Sequence, residues 1–167
     1  MADYFSQTVI RPYIPETAMT ALERAVLEKM FDEELVGEEV YFCAPYGPND
    51  LVFLDIAWVK ELLDADEGIA STLADHVRGE LAKADRDDPE LALDMSMIGY
   101  EVIFQDIVKR SVLDYVEVET AWTCSKMRPD GFGGAAMLIT ADDVESLSTA
   151  GWLEQAISAL AGGAGPG

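Results

Sequence analysis

Tyr115-Val-Glu-Val-Glu-Thr-Ala-Trp-Thr-Cys124 is the stretch whose reading decides the fold. Val116, Val118, Thr120, Trp122 and Cys124 fall on one side of an extended chain, with Glu117, Glu119 and Thr123 on the other. This two-residue period, apolar against acidic, belongs to an antiparallel strand with one face on a core and one in water. The loop Ser125-Lys-Met-Arg-Pro-Asp-Gly-Phe-Gly-Gly134 then returns the chain into Ala135-Ala-Met-Leu-Ile-Thr140, a second strand. A final helix is predicted over about residues 142–160.

Toward the N-terminus, Tyr4 to Arg11 is rich in strand formers and is closed by Pro12 and Pro15, as an opening strand would be. Thr20 and Glu23 have capping-box spacing, and Leu22, Val26, Leu27, Met30 and Phe31 recur at helical intervals. The other face of that helix, and the turn beyond it, carries Glu28, Asp32, Glu33, Glu34, Glu38 and Glu39. Val40-Tyr-Phe-Cys-Ala-Pro45, a turn at Tyr46–Asp50 and Leu51-Val-Phe-Leu-Asp55 together read as a β-hairpin. Asp55 can cap a helix through Trp58, Val59, Leu62 and Leu63. A further helix is predicted over residues 66–84, a short strand from Leu91 to Met95, and an amphipathic helix over 98–110 with Lys109 and Arg110 in its last turn.

These elements predict an α+β fold: an antiparallel sheet built from two β-hairpins plus an N-terminal strand, with helices packed mainly on one face. Residues 1–161 form a single domain, and Gly162 to Gly167 a flexible glycine-rich tail. The strand, turn, strand and capped helix from Tyr41 to Leu62 run parallel to those from Trp122 to Leu147. This is either a duplicated unit or the ordinary likeness of any hairpin followed by a capped helix.

Charge bounds the function. The 167 residues carry 32 Asp and Glu against 11 Lys and Arg, a formal net charge of -21, yet half are hydrophobic, enough to fold against that repulsion. Twenty-one of the 32 acids precede Leu91. Such a surface repels bare nucleic acid and anionic membrane and attracts cationic proteins or metal ions. No signal peptide and no run of about 18 apolar residues is present, so a cytoplasmic protein off the membrane is expected. Cys43 and Cys124 sit in apolar contexts away from ligand spacing and read as small buried thiols, with a bridge between them as the alternative.

Catalytic motifs are lacking. The single histidine, His76, has no recognisable nucleophile or second histidine with it, and the acidic run Asp85 to Asp94 does not follow an EF-hand loop. No catalytic residue, metal ligand or cofactor is therefore nominated. Two candidate sites remain. The 125–134 loop sets Lys126 and Arg128 beside Asp130 and three glycines; with Trp122 and Phe132 it could hold a small ligand or an anion. The same residues also make an ordinary hairpin turn. The second candidate is the acidic surface around Glu33, Glu34, Glu38 and Glu39, since rigid rows of carboxylates can imitate the phosphates of DNA toward a basic partner.

Phe104-Gln-Asp-Ile-Val-Lys-Arg110, Trp122-Thr-Cys-Ser-Lys-Met-Arg-Pro-Asp-Gly-Phe-Gly-Gly134 and Leu138-Ile-Thr-Ala-Asp142 resemble an uncharacterised family of small bacterial proteins associated with plasmid-like or integrative elements. That family has no assigned activity or site residues to carry over. The resemblance favours an interaction role over an enzymatic one, because mobile elements often encode small acidic antagonists of host defence. The expectation is thus an acidic binder of a macromolecular, basic partner, nucleic-acid-handling proteins included. A homodimer through a sheet edge or helix stays open, and the alternative is a ligand-binding or enzymatic domain using the 125–134 loop.

Overall fold

The chain runs β1 (Tyr4–Arg11), β2 (Ile14–Pro15), α1 (Ala21–Met30), β3 (Asp32–Val36), β4 (Glu39–Ala44), β5 (Leu51–Asp55), α2 (Ile56–Ala65), α3 (Thr72–Lys83), β6 (Glu90–Asp94), α4 (Glu101–Arg110), β7 (Tyr115–Cys124), β8 (Gly133–Thr140), β9 (Val144–Ser148) and α5 (Thr149–Ala161). This computed structural model describes residues 1–163; most of the expected glycine-rich tail lies outside the described residues. The class is α+β, with every strand pair antiparallel.

β1 and β7 are the spine of a seven-stranded sheet of order β2-β4-β1-β7-β8-β9, in which β3 pairs with β4. The alternation read in β7 is realised: Val116 and Val118 are buried, while Glu117 and Glu119 lie on the opposite face. β4 alternates likewise, burying Val40, Phe42 and Ala44. These residues join Ile10 and Ile139 against Leu22 and Val26 of α1 and Ile103, Phe104 and Ile107 of α4 in one core. Edge-on contacts among Phe31, Phe42, Tyr100 and Phe104 lock α4 over the sheet. The small β5–β6 sheet adds Val52, Leu54, Leu91 and Leu93 to the same core.

Local signals set the helix starts. Thr20 and Glu23 form the expected reciprocal capping box, and Asp55 accepts the backbone N–H of Trp58 at the start of α2. α3 begins at Thr72, capped by Ser71, six residues later than the expected start at residue 66, and Ile69 stays exposed in the preceding loop. α4 begins at Glu101, after Gly99 has turned the chain at φ 74°.

Strand partners differ from the sequence reading in three places. β4 and β5 do not form a hairpin: both edges of β4 are occupied, by β1 and β2 on one side and β3 on the other, and β5 pairs with β6. Asp32–Val36, expected on a helix face and turn, is an edge strand, joined to β4 by a tight turn in which Gly37 takes φ 65°. Residues 144–148 form β9 before α5 begins, because Thr140 and Asp143 close a hairpin turn: the Asp143 amide donates to Thr140 Oγ1 at 3.1 Å and the Thr140 amide to the Asp143 carbonyl at 2.9 Å. That turn uses the same Thr and Asp chemistry as a helix cap. With the first hairpin absent and a strand where the second helix was expected, the two halves do not share a duplicated strand, hairpin and helix unit. Cys43 and Cys124 are free thiols, and half-buried instead of buried.

Candidate functional site

The β3–β4 hairpin concentrates the charge. Asp32, Glu33, Glu34, Glu38 and Glu39 place five acids in eight residues, on the outermost strand, its turn and the first residue of β4. β3 is exposed along its whole length. The register opposes Glu33 to Phe42 and Glu34 to Tyr41, so Glu33 is on the helix-covered side while Asp32 and Glu34 are on the open side. Same-face acids on a strand recur at about 6.8 Å, twice the axial rise of one DNA strand per nucleotide.

What holds this edge is α1. Arg24 reaches three carboxylates at once: Glu33 at 2.9 Å, Glu28 at 3.1 Å and Glu16 at 3.2 Å. Its side chain is only 19% exposed, which makes it a fixed hub instead of a loose surface charge. The Glu16 amide donates to the Glu38 carbonyl at 3.0 Å, tying the turn of the hairpin down.

α1 is in turn anchored through charge. Its first four amides are all satisfied: Ala21 and Leu22 donate to the two oxygens of Asp66, Glu23 donates to Thr20 Oγ1 and Arg24 donates to the Thr20 carbonyl. The Glu23 carboxylate is fully buried, where it accepts from the Thr20 amide at 3.0 Å, Ser71 Oγ at 2.9 Å and both terminal nitrogens of Arg110. Arg110 also donates to the carbonyls of Ala70 and Ala18. Burial pushes the Glu23 carboxyl above its ordinary range, opposed by the Thr20 amide and the charge of Arg110. Every group in this cluster has its partner, and no substrate could enter it. Its chemistry is that of a tie between α1, the α2–α3 loop and α4.

The other nominated residues do not converge. Lys126, Arg128 and Asp130 are exposed in a turn in which the Gly131 amide donates to the Arg128 carbonyl at 3.0 Å. Gly131 is buried so tightly that a Cβ there would lie 2.5 Å from Cβ of Cys124. Trp122 faces Gly133 across the β7–β8 ladder, on the side away from Glu119 and Ala121, and Phe132 is half exposed. The glycines of this loop thus serve close hairpin packing. None of these five lines any of the three main grooves, and among the described residues no cluster of His, Cys, Asp and Glu could hold a metal ion.

No family model, curated protein or solved structure matches this chain. Function must be argued from its surfaces. None of the described helices is long and apolar enough to cross a membrane. The open face of the sheet carries Glu34, Glu39, Glu117, Glu119 and Glu145, answered there by Arg11, which pairs with Glu117 at 3.2 Å and Glu119 at 3.1 Å.

Sequence reasoning missed two features. Arg24 sits four residues before Glu28, a spacing that was visible, but its links to Glu16 and Glu33 need the folded hairpin. The second is a groove of about 900 Å³ between α5 and the open face of the sheet. Its signal lies in the composition of α5, where Glu154 is the one charged residue in Thr149–Ala161.

Proposed function

We propose that this protein is a cytoplasmic binding protein that engages a cationic face of a macromolecular partner through the β3–β4 edge, nucleic-acid-handling proteins being the leading class. The observation that carries this is the acidic β3–β4 hairpin fastened to α1 by one arginine hub: five acids between Asp32 and Glu39, of which Glu33 alone is bound to Arg24. Glu34, Glu38 and Glu39 stay exposed and are in no ion pair among the described residues. Like charges gathered on one anchored hairpin steer a basic partner from a distance.

The test is affinity capture from bacterial lysate at low salt, with elution by a salt gradient and identification by mass spectrometry. A protein with a basic groove, released at moderate salt and not retained by a Glu34→Gln/Glu38→Gln/Glu39→Gln variant, is the expected result. Equal recovery on the variant would sink the assignment of this edge.

A further inference from the structure

We infer that the opposite end of the sheet, α5 with the edge strand β9 and the groove they border, is the docking surface for a second copy of this chain. None of the residues of α5 is buried. Trp152 is 56% exposed, Leu153 52%, Ile157 61% and Leu160 81%, and Leu147 of β9 is 55% exposed. Helices of about this length are marginal in water without an apolar face to rest on. Exposed apolar side chains on this scale stand at the upper end of what a monomer leaves in water, and patches of that size are often functional.

Two observations select the occupant. The first is charge. Two bodies of net charge -21 repel wherever their acidic surfaces meet, so they can approach only through a charge-poor patch. The groove meets that condition: its floor of Ala121, Gly134 and Ala136 and its wall of Leu147, Trp152 and Leu153 include Glu119 as the one charged lining residue. A cationic partner gains little there and much at the β3 edge. The second is area. At their exposures, the five large side chains offer roughly 600 Å² per protomer. Fully covered about a two-fold axis they remove at most roughly 1,200 Å², within reach of the roughly 1,000 Å² that a specific interface needs. The small residues of the floor let a helix approach closely, and Leu153, Ile157 and Leu160, spaced four and three apart, form a stripe that can pack against its own copy.

Sedimentation equilibrium on the full chain, in low and high salt, tests this. The expected result is a mass twice 18.2 kDa at micromolar concentration, with association that tightens as salt rises, because screening relieves repulsion between the two bodies. Ile157→Asp with Leu160→Asp should weaken it by at least about 100-fold while leaving far-UV circular dichroism and the thermal transition of the monomer in place. Leu147→Asp, on β9 instead of the helix, should weaken it by at least about 10-fold. A monomer in both salts at 200 μM overturns the inference, whether α5 is then covered by another protein or by nothing. So does a dimer that survives both variants. Binding of a basic partner at β3 weakens with salt and ignores α5, so the two readings fail separately.

Discussion

The two edges of the main sheet end in opposite ways. β3 ends it in acids: Asp32, Glu33 and Glu34 lie along an exposed strand, and Glu38 and Glu39 follow in and after the turn. β9 ends it in Val144-Glu-Ser-Leu-Ser148, with a single acid, and then continues into an apolar helix. An exposed strand edge is a template for another chain, and charge is a common means of blunting it. β3 is blunted and β9 is not. The contrast is one of placement: acids crowd one edge, where Leu35 and Val36 are also exposed, and the other edge leads into a helix with one charged residue.

The edges also differ in how they are tied to the core. β3 hangs on α1 through Arg24, and α1 on α4 through the buried Glu23 and Arg110. Arg110→Ala should therefore have the largest effect, a loss of about 3–5 kcal/mol in urea unfolding, because a buried carboxylate is left without its counter-charge. A loss below about 1 kcal/mol would break the picture of a charge-anchored edge. The pH dependence sharpens it. Between the ordinary value and the raised one, the folded state holds more of this proton than the unfolded chain does, so the contribution is full below the ordinary value and is lost as pH rises through the raised one. Removing Arg110 raises Glu23 further, and the variant should lose more relative to the native chain at pH 7 than at pH 5.

Arg24→Ala comes next. Its three ion pairs are partly exposed on the carboxylate side, so a cost of about 1–2 kcal/mol is expected, shrinking in high salt as the freed acids are screened. Thermal unfolding at two ionic strengths measures it, and a salt-independent loss would mean that Arg24 acts through packing alone.

Neutralising Glu34, Glu38 and Glu39 to Gln should change monomer stability by only about 0.5 kcal/mol, in the stabilising direction, since self-repulsion falls. It should also make the β3 edge resemble β9 and permit self-association there. Light scattering that finds no association would show that β3 is protected by its geometry, not by its charge. Smallest of all, Ile157→Asp with Leu160→Asp should leave the unfolding free energy of the monomer within about 0.5 kcal/mol, because these side chains are already in water. A larger loss would mean that α5 is part of the monomer core.

Much of the candidate site was legible as residues but not as a shape. Glu33, Glu34, Glu38 and Glu39 stood out by charge alone, and their grouping on one edge followed once β3 paired with β4. The sequence Asp-Glu-Glu-Leu-Val has weak strand propensity, so only the neighbouring strand could make it one. Lys126 and Arg128 stood out by the opposite rule, rare bases in an acidic chain, yet the glycines beside them answer to packing against Cys124 and Trp122. The apolar end was missed because Thr140-Ala-Asp-Asp143 can cap a helix or close a hairpin, and the choice rests on β8 finding β9 alongside it.

What the sequence by itself determined is local: the capping box at Thr20 and Glu23, the Asp55 cap, the alternation of β7, the apolar stripes of α1 and α4, and the excess of acids. Each is set by interactions within a few residues, or by composition. Tertiary structure alone decided which strands are neighbours, that β4 lies between β1 and β3 instead of beside β5, and hence that the acids gather at one edge and the bare helix at the other. The physical reason is that a strand presents equivalent backbone donors and acceptors to any partner. The choice among partners is made by the core that all of them bury together.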